Sequence, residues 1–239
     1  MSGHSKWSTI KNKKGAADAK RAANFTRLAR EIEVAAREKG PNPDMNFKLR
    51  LAIDRARAGN MPKDNIERAI ARGSGQGGES AVEQLVYEAY APGGTALIIE
   101  CITDNRNRSA GDVKHILSKH GGTLANQGAV TYLFEQKGVV RTNLVPADKR
   151  DEIELALIEA GAEDIIHEAD QTIITCAITG LSSLNDAANS AGLKVASAEI
   201  EWLPRTPVAI TDDVQEKVAI IIELLEELDD VTNVYTNAE

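Results

Sequence analysis

The apolar period of the chain changes once, at the glycine-rich stretch GSGQGG (residues 73–78), and that change limits the fold more than any other feature. Before it, apolar residues recur at helical spacing. Between Ala16 and Lys39, the positions Phe25, Leu28, Ala29, Ile32, Ala35 and Ala36 follow the i, i+3, i+4, i+7 rule, and Gly40-Pro41 ends the run. A second helix is predicted from Asn42 as cap, with Pro43 at the first helical position, through DMNFKLRLAIDRARA to Gly59. A third is predicted from Pro62, with Ile66, Ala69 and Ile70 as its stripe, ending before Gly73. GSGQGG then reads as a flexible linker.

Beyond the linker, β-rich runs alternate with helical ones. QLVYEAYA and TALIIECIT, joined by Pro92-Gly93-Gly94, predict a hairpin. SAGDVKHILSKHGG predicts a helix capped by Ser109, with Asp112 in a capping-box position and Gly121 as the stop, and GAVTYLFE predicts another strand. From Gly138 the order is strand, helix, strand, strand, helix, strand, the ferredoxin-like βαββαβ unit. The helix TDDVQEKVAIIIELLEELDD and strand VTNVYT that follow are most simply the missing pieces of the domain that this unit interrupts. The expected fold class is therefore α+β: an N-terminal three-helix domain (1–78 with its linker), an α+β domain (79–137 plus 204–239), and a ferredoxin-like domain (138–203) inserted into it.

Charge separates these parts. The 239 residues carry a formal net charge of −8, yet residues 1–72 hold 17 Lys/Arg against 8 Asp/Glu, a net of +9, and the remainder is −17. Such a sign asymmetry points to a polyanionic partner for the front end. Lys6, Lys11, Lys13 and Lys14 precede the first helix, and Lys20, Arg27, Arg30 and Arg37 fall on the arc opposite its apolar stripe. A continuous cationic strip for phosphates is expected there, with Trp7 placed to stack on a base. The plainer alternative is a solvated basic tail beside an ordinary polar helix face. Lys/Arg contacts to phosphate give affinity, not base specificity, and no helix-turn-helix, zinc-finger or RRM signature is present. TDNRNRS offers a second anion site, with Arg106, Asn107 and Arg108 leading into a helix N-terminus at Ser109.

Enzyme readings find little support. His4, His115, His120 and His167 form no HExxH pair, there is no GxSxG elbow, and GSGQGG lacks the Lys-Ser/Thr of a phosphate-binding loop. Cys101 and Cys176, 75 positions apart in apolar stretches, are read as core residues. Glu223, Glu226, Glu227, Asp229 and Asp230 crowd a helix C-terminus, which the macrodipole disfavours, and are read as a solvated face, with a protein-contact or metal role as the minority view. No catalytic residue, metal or cofactor is expected. No run is apolar enough for a membrane-spanning helix, and the start lacks a secretory h-region, so the cytoplasm is the expected location.

With these residues in view, the chain resembles the YebC/PmpR family. GHSKWSTIKNKKGAADAKR, NMPKDNIERAI, YEAYAPGG, TDNRNRS and GGTLANQGAVTYLFE stand in the order and spacing of the family's motifs. The resemblance implies the same architecture of a helical domain and two α+β domains, one inserted into the other. It also implies a non-enzymatic regulator: members are described as transcriptional regulators that bind DNA, and mitochondrial relatives act as translational activators. Carried over by motif, nucleic-acid contact falls on Lys6, Trp7, Lys11, Lys13, Lys14, Lys20 and Arg21, with Arg106 and Arg108 added by TDNRNRS. The expectation is DNA contact in transcription. The alternatives are ribosomal or transfer RNA contact in translation, and a scaffold whose acidic domains bind a basic protein. No small-molecule substrate is expected.

Overall fold

The structure is a computed structural model that describes residues 18–75 and 82–239. Among these residues there are seven α-helices and two four-stranded sheets. They divide into two compact units, one reaching to Phe134 and resuming at Pro204–Glu239, the other Glu135–Leu203.

The first unit begins with helices α1 (Asp18–Lys39), α2 (Phe47–Ala58) and α3 (Lys63–Gly73). The expected stripe of α1 is inward: Leu28, Ile32, Ala35 and Ala36 are buried among Leu49, Ile53, Met61 and Ile66. The start of α2 differs from expectation. Asn42 accepts the Asp44 N–H through its side chain at 3.0 Å and makes a turn, and the cap is Asn46, whose side chain accepts the Leu49 N–H at 3.0 Å. Asn46 is fully buried, and its amide also donates to the Ala35 and Gly40 carbonyls at 2.7 and 2.8 Å. One side chain thus closes the end of α1 and opens α2, which the Asn42-Pro43 pair could not do from an exposed turn. Gly73 also departs from its reading as linker. It ends α3 buried against α1, where a Cβ would stand 2.4 Å from the Glu33 carbonyl oxygen and 2.8 Å from Ala36 Cβ.

The same unit holds a sheet of β1 (Glu83–Ala91), β2 (Thr95–Thr103), β3 (Thr123–Leu124) and β8 (Val231–Thr236), in the order β3-β1-β2-β8. β1 and β2 form the expected hairpin, turning at Pro92-Gly93-Gly94 with both glycines at positive φ. Every residue of β2 is buried, Glu100 included, which explains why Ala96–Ile99 is apolar at consecutive positions with no polar alternation. α4 (Arg106–Lys119) and α7 (Asp212–Glu226) cover one face through Val113, Leu117, Val218, Ile221 and Leu225. β8, which follows the inserted unit in sequence, pairs antiparallel with β2.

The inserted unit is built from β4 (Phe134–Thr142), α5 (Arg150–Glu159), β5 (Ala162–His167), β6 (Thr172–Cys176), α6 (Leu181–Ser190) and β7 (Val195–Pro204). Its strand order, β5-β6-β4-β7, is that of a ferredoxin-like βαββαβ sheet. Gly138 of β4 lies where a Cβ would come within 2.9 Å of Cys176 Sγ and Leu181 Cβ, so this strand approaches its neighbours as only glycine permits. GAVTYLFE is not the expected strand: Thr131–Leu133 is a 3-10 turn, and extended structure begins only at Phe134.

Candidate nucleic-acid interface

Lys6, Trp7, Lys11, Lys13 and Lys14 lie outside the described residues. Lys20 and Arg21 fall within the first turns of α1, where the backbone alone is described. Most of the surplus is theirs to account for: residues 1–23 carry a net +5, and residues 24–72 a net +4.

The outer arc of α1 is not the open cationic strip that helical periodicity suggests. Arg27 Nη2 donates to the Glu226 carbonyl at 2.7 Å and the Leu228 carbonyl at 3.5 Å, with its Nε buried and lacking an acceptor. Arg30 Nη1 donates to Asp230 Oδ1 at 2.7 Å, to the Asp229 carbonyl at 3.2 Å and to the Ile102 carbonyl at 3.4 Å. Arg37 reaches the Val82 carbonyl and Glu33. The arc is docked on the unit's own sheet and on the end of α7. This also answers the acidic crowding at that end, because guanidiniums placed on the last carbonyls of a helix offset its negative pole.

Asp230 is the residue that sequence reasoning missed. It is 7% exposed and takes donors on both oxygens. Oδ1 accepts from Arg30 at 2.7 Å and Arg108 at 3.2 Å; Oδ2 accepts from Ser109 Oγ at 2.6 Å, Thr103 Oγ1 at 2.9 Å and Arg108 at 3.0 Å. Burial alone would raise its pKa, but the hydrogen bonds from Ser109, Arg108 and Thr103 and the nearby Arg30 charge hold the carboxyl below its ordinary value. A carboxylate among five acids at a helix end carries no sequence signal of this role.

The TDNRNRS segment is likewise rearranged. The cap of α4 is Asn105, whose side chain accepts the Arg108 N–H at 3.1 Å, so the cap lies four residues earlier than expected. Ser109 is buried inside the first turn with its hydroxyl on Asp230, and Asp112 is in no capping box. Both arginines face carboxylates. Arg106 makes a two-pronged pair with Glu83, at 2.7 and 3.3 Å, and Arg108 bridges Asp104 and Asp230, at 2.7 and 3.0 Å. The Arg106 hydrogen bond holds the Glu83 carboxyl below its ordinary value. The turn is therefore a charge-balanced junction, with the side chains of Arg106 (63% exposed) and Arg108 (46% exposed) still open to solvent.

YEAYAPGG and NQGAVTY, far apart in sequence, meet through a second buried carboxylate. Glu88 of β1, 4% exposed, accepts the N–H groups of Gly128, Val130 and Thr131 at 2.6, 2.7 and 2.9 Å. Tyr90 Oη donates to the Ala129 carbonyl at 2.9 Å, and the Ala125 N–H donates to the Glu88 carbonyl at 2.8 Å. This loop replaces the strand expected for GAVTYLFE. A carboxylate supplies acceptors that a neighbouring strand would otherwise provide.

The sequence matches the model of the TACO1/YebC N-terminal domain over residues 5–76 and that of the TACO1/YebC second and third domain over residues 82–238. The chain belongs to the TACO1/YebC family. Relatives from Pelotomaculum thermopropionicum (46% identical, covering 100% of this chain and 99% of the relative) and Rubrobacter xylanophilus (49%, covering 99% and 95%) are each named "Probable transcriptional regulatory protein". A crystal structure of a conserved hypothetical protein from Aquifex aeolicus is similar at a TM-score of 0.86 and 41% identity, over 96% of this chain and 95% of that one. Among the described residues of this family member, no helix is long and apolar enough to cross a membrane.

Proposed function

We propose that the chain is a cytoplasmic nucleic-acid-binding regulator of gene expression, acting by binding and not by catalysis, with DNA in transcription as its target. The observation that carries the reading is where positive charge is left over. Cations on the described helices are largely met by the chain's own acids: Lys48 by Glu38, Arg55 by Glu31, Arg57 by Asp54, and Arg106 by Glu83. Residues 1–21 hold six Lys/Arg and one Asp and include the first residues of α1, a helix anchored on the body through Arg27 and Arg30. A cationic segment on a fixed base suits phosphate contact. The relatives' names favour DNA.

A second reading, ribosomal or transfer RNA, is favoured by the outer faces of α2 and α3. They carry paired charges such as Arg57–Asp54 and Lys63–Glu67, not the unopposed basic face that a helix reading the major groove would present. Crosslinking in cells followed by identification of the recovered nucleic acid tests both. Promoter DNA supports the proposal, ribosomal or transfer RNA the second reading, and recovery of neither overturns both. In vitro, contact with about six phosphates predicts a slope of about −5 for log K against log salt on duplex DNA. Neutral replacement of Lys11, Lys13, Lys14, Lys20 and Arg21 should flatten it.

A further inference from the structure

We infer that Asp230 is a positioning residue of this interface: it fixes the direction in which α1 carries the basic N-terminal segment by tying that helix to the turn between β2 and α4. The inference rests on the nucleic-acid reading of residues 1–21.

The argument begins with what joins the three helices to the sheet beside them. Their own core is closed on itself, and the buried apolar cluster shared with the sheet consists of Val34, Val82 and Ile102. A contact that small resists separation but not rotation, since apolar contacts have no preferred direction. Directional contacts come from the arginines of α1 and from Lys48 of α2, whose Nζ donates to Gln84 Oε1 of β1 at 3.3 Å. Arg27 holds carbonyls at the end of α7 and Arg37 holds the Val82 carbonyl, whereas Arg30 meets a carboxylate. Charge-assisted hydrogen bonds are roughly twice as strong as neutral ones and fix geometry more tightly.

The Asp230 carboxylate cannot follow Arg30 if α1 tilts. Ser109, Thr103 and Arg108 hold it at 2.6, 2.9 and 3.0 Å, and its backbone carbonyl accepts the Ile102 N–H at 2.8 Å. It is therefore fixed to the end of β2 and the first turn of α4 at once. Side chains held in this way orient the groups they touch, as outer partners do around a binding site. The leverage is large. Asp18 lies twelve residues before Arg30, about 18 Å along the helix, so a tilt of about 10° about Arg30 displaces the start of α1 by about 3 Å. That is enough to take a lysine out of reach of its phosphate. Two motifs assigned to nucleic acid by sequence, the basic start and TDNRNRS, thereby acquire one shared determinant, and Arg30 and Arg108 contribute through it.

The test uses the full chain with Asn24→Cys and Lys114→Cys, both exposed, spin-labelled for a distance distribution. Cys101 and Cys176 are buried, with thiols pushed up to about 12 and about 11, and stay unlabelled at neutral pH. Asp230→Asn is compared with wild type, and Arg30→Gln serves as the second variant because it leaves Ser109, Thr103 and Arg108 in place on Asp230. In both, the distribution should broaden. Binding of a 20-base-pair DNA duplex and of an RNA hairpin, measured well below the unfolding temperature, should weaken about tenfold, with the salt slope less negative by about 2 as two phosphate contacts are lost. A broadened distribution with unchanged affinity overturns the inference, as does a distribution that stays narrow in folded Arg30→Gln. A wild type that binds neither probe overturns the nucleic-acid reading itself, which sets that failure apart from the failure of Asp230 to position α1.

Discussion

Replacing Glu88 is the sharpest test of how the inner structure of this chain is held, because one carboxylate closes a loop that has no strand to pair with. In Glu88→Ala, three backbone N–H groups lose an ionised acceptor, at 2.6, 2.7 and 2.9 Å. Hydrogen bonds to charged groups contribute about 1.5–3 kcal/mol each. Gly128 is exposed and Thr131 half-buried, so their amides can turn to water and count at the low end, while Val130 is fully buried and its amide is left without a partner. The expected loss is about 6 kcal/mol, or about 15 °C in Tm for a chain of this size. Glu88→Gln keeps one acceptor oxygen but turns an NH2 toward N–H donors, and should cost about half as much.

The pH dependence follows from the direction of the Glu88 shift. Burial opposes ionisation, but the Val130, Gly128 and Thr131 hydrogen bonds prevail and hold the carboxyl below its ordinary value of 4.5. A depressed folded value means that the stabilisation is complete above the unfolded value and is lost as pH falls through the folded one. The gap between wild type and Glu88→Gln should therefore be constant at neutral pH, shrink as pH drops below 4.5, and close once the wild-type carboxyl is protonated. Chemical denaturation at pH 7 and at pH 3–4, with hydrogen exchange at the Val130 amide, makes the measurement. A Glu88→Gln protein within about 0.5 kcal/mol of wild type at pH 7, or a gap that ignores pH, would refute the reasoning.

Other expectations are simpler to check. Gly73→Ala should destabilise by about 1–3 kcal/mol in thermal unfolding, because its Cβ would meet the Glu33 carbonyl at 2.4 Å, a backbone atom that cannot step aside. Cys101 and Cys176 should resist a thiol reagent at pH 8 in the folded state and react at once in denaturant, since burial pushes their thiols to about 12 and about 11. Arg106→Gln removes an exposed pair and should leave Tm within error; under the proposed function it should weaken nucleic-acid binding, so a loss of stability without a loss of affinity would count against Arg106 as a contact.

Much of the architecture was legible because it rests on periodicity. The stripe of α1, the PGG hairpin and the βαββαβ order follow from which residues must face inward, and a helix or strand repeats that demand every few positions. Element starts were less legible. Asn42 and Ser109 have the right side chains for caps, yet Asn46 and Asn105 hold those places, because a cap is chosen by which nearby oxygen meets the free N–H groups once the chain is packed. GAVTYLFE has the composition of a strand, and its residues turn instead because Glu88 supplies the acceptors from another strand.

Charge divides the same way. The excess of Lys and Arg before the linker is a property of composition and survives any fold, so a polyanionic partner could be argued from it directly. Which of those cations face outward could not, because a helical wheel knows one helix and not its neighbours. Arg27 and Arg30 sit on the polar arc as expected, and that arc meets the end of α7 and Asp230. Two hundred residues separate Arg30 from Asp230, and no local pattern links them; their pairing exists because β8 returns, after the inserted unit, to lie beside β2.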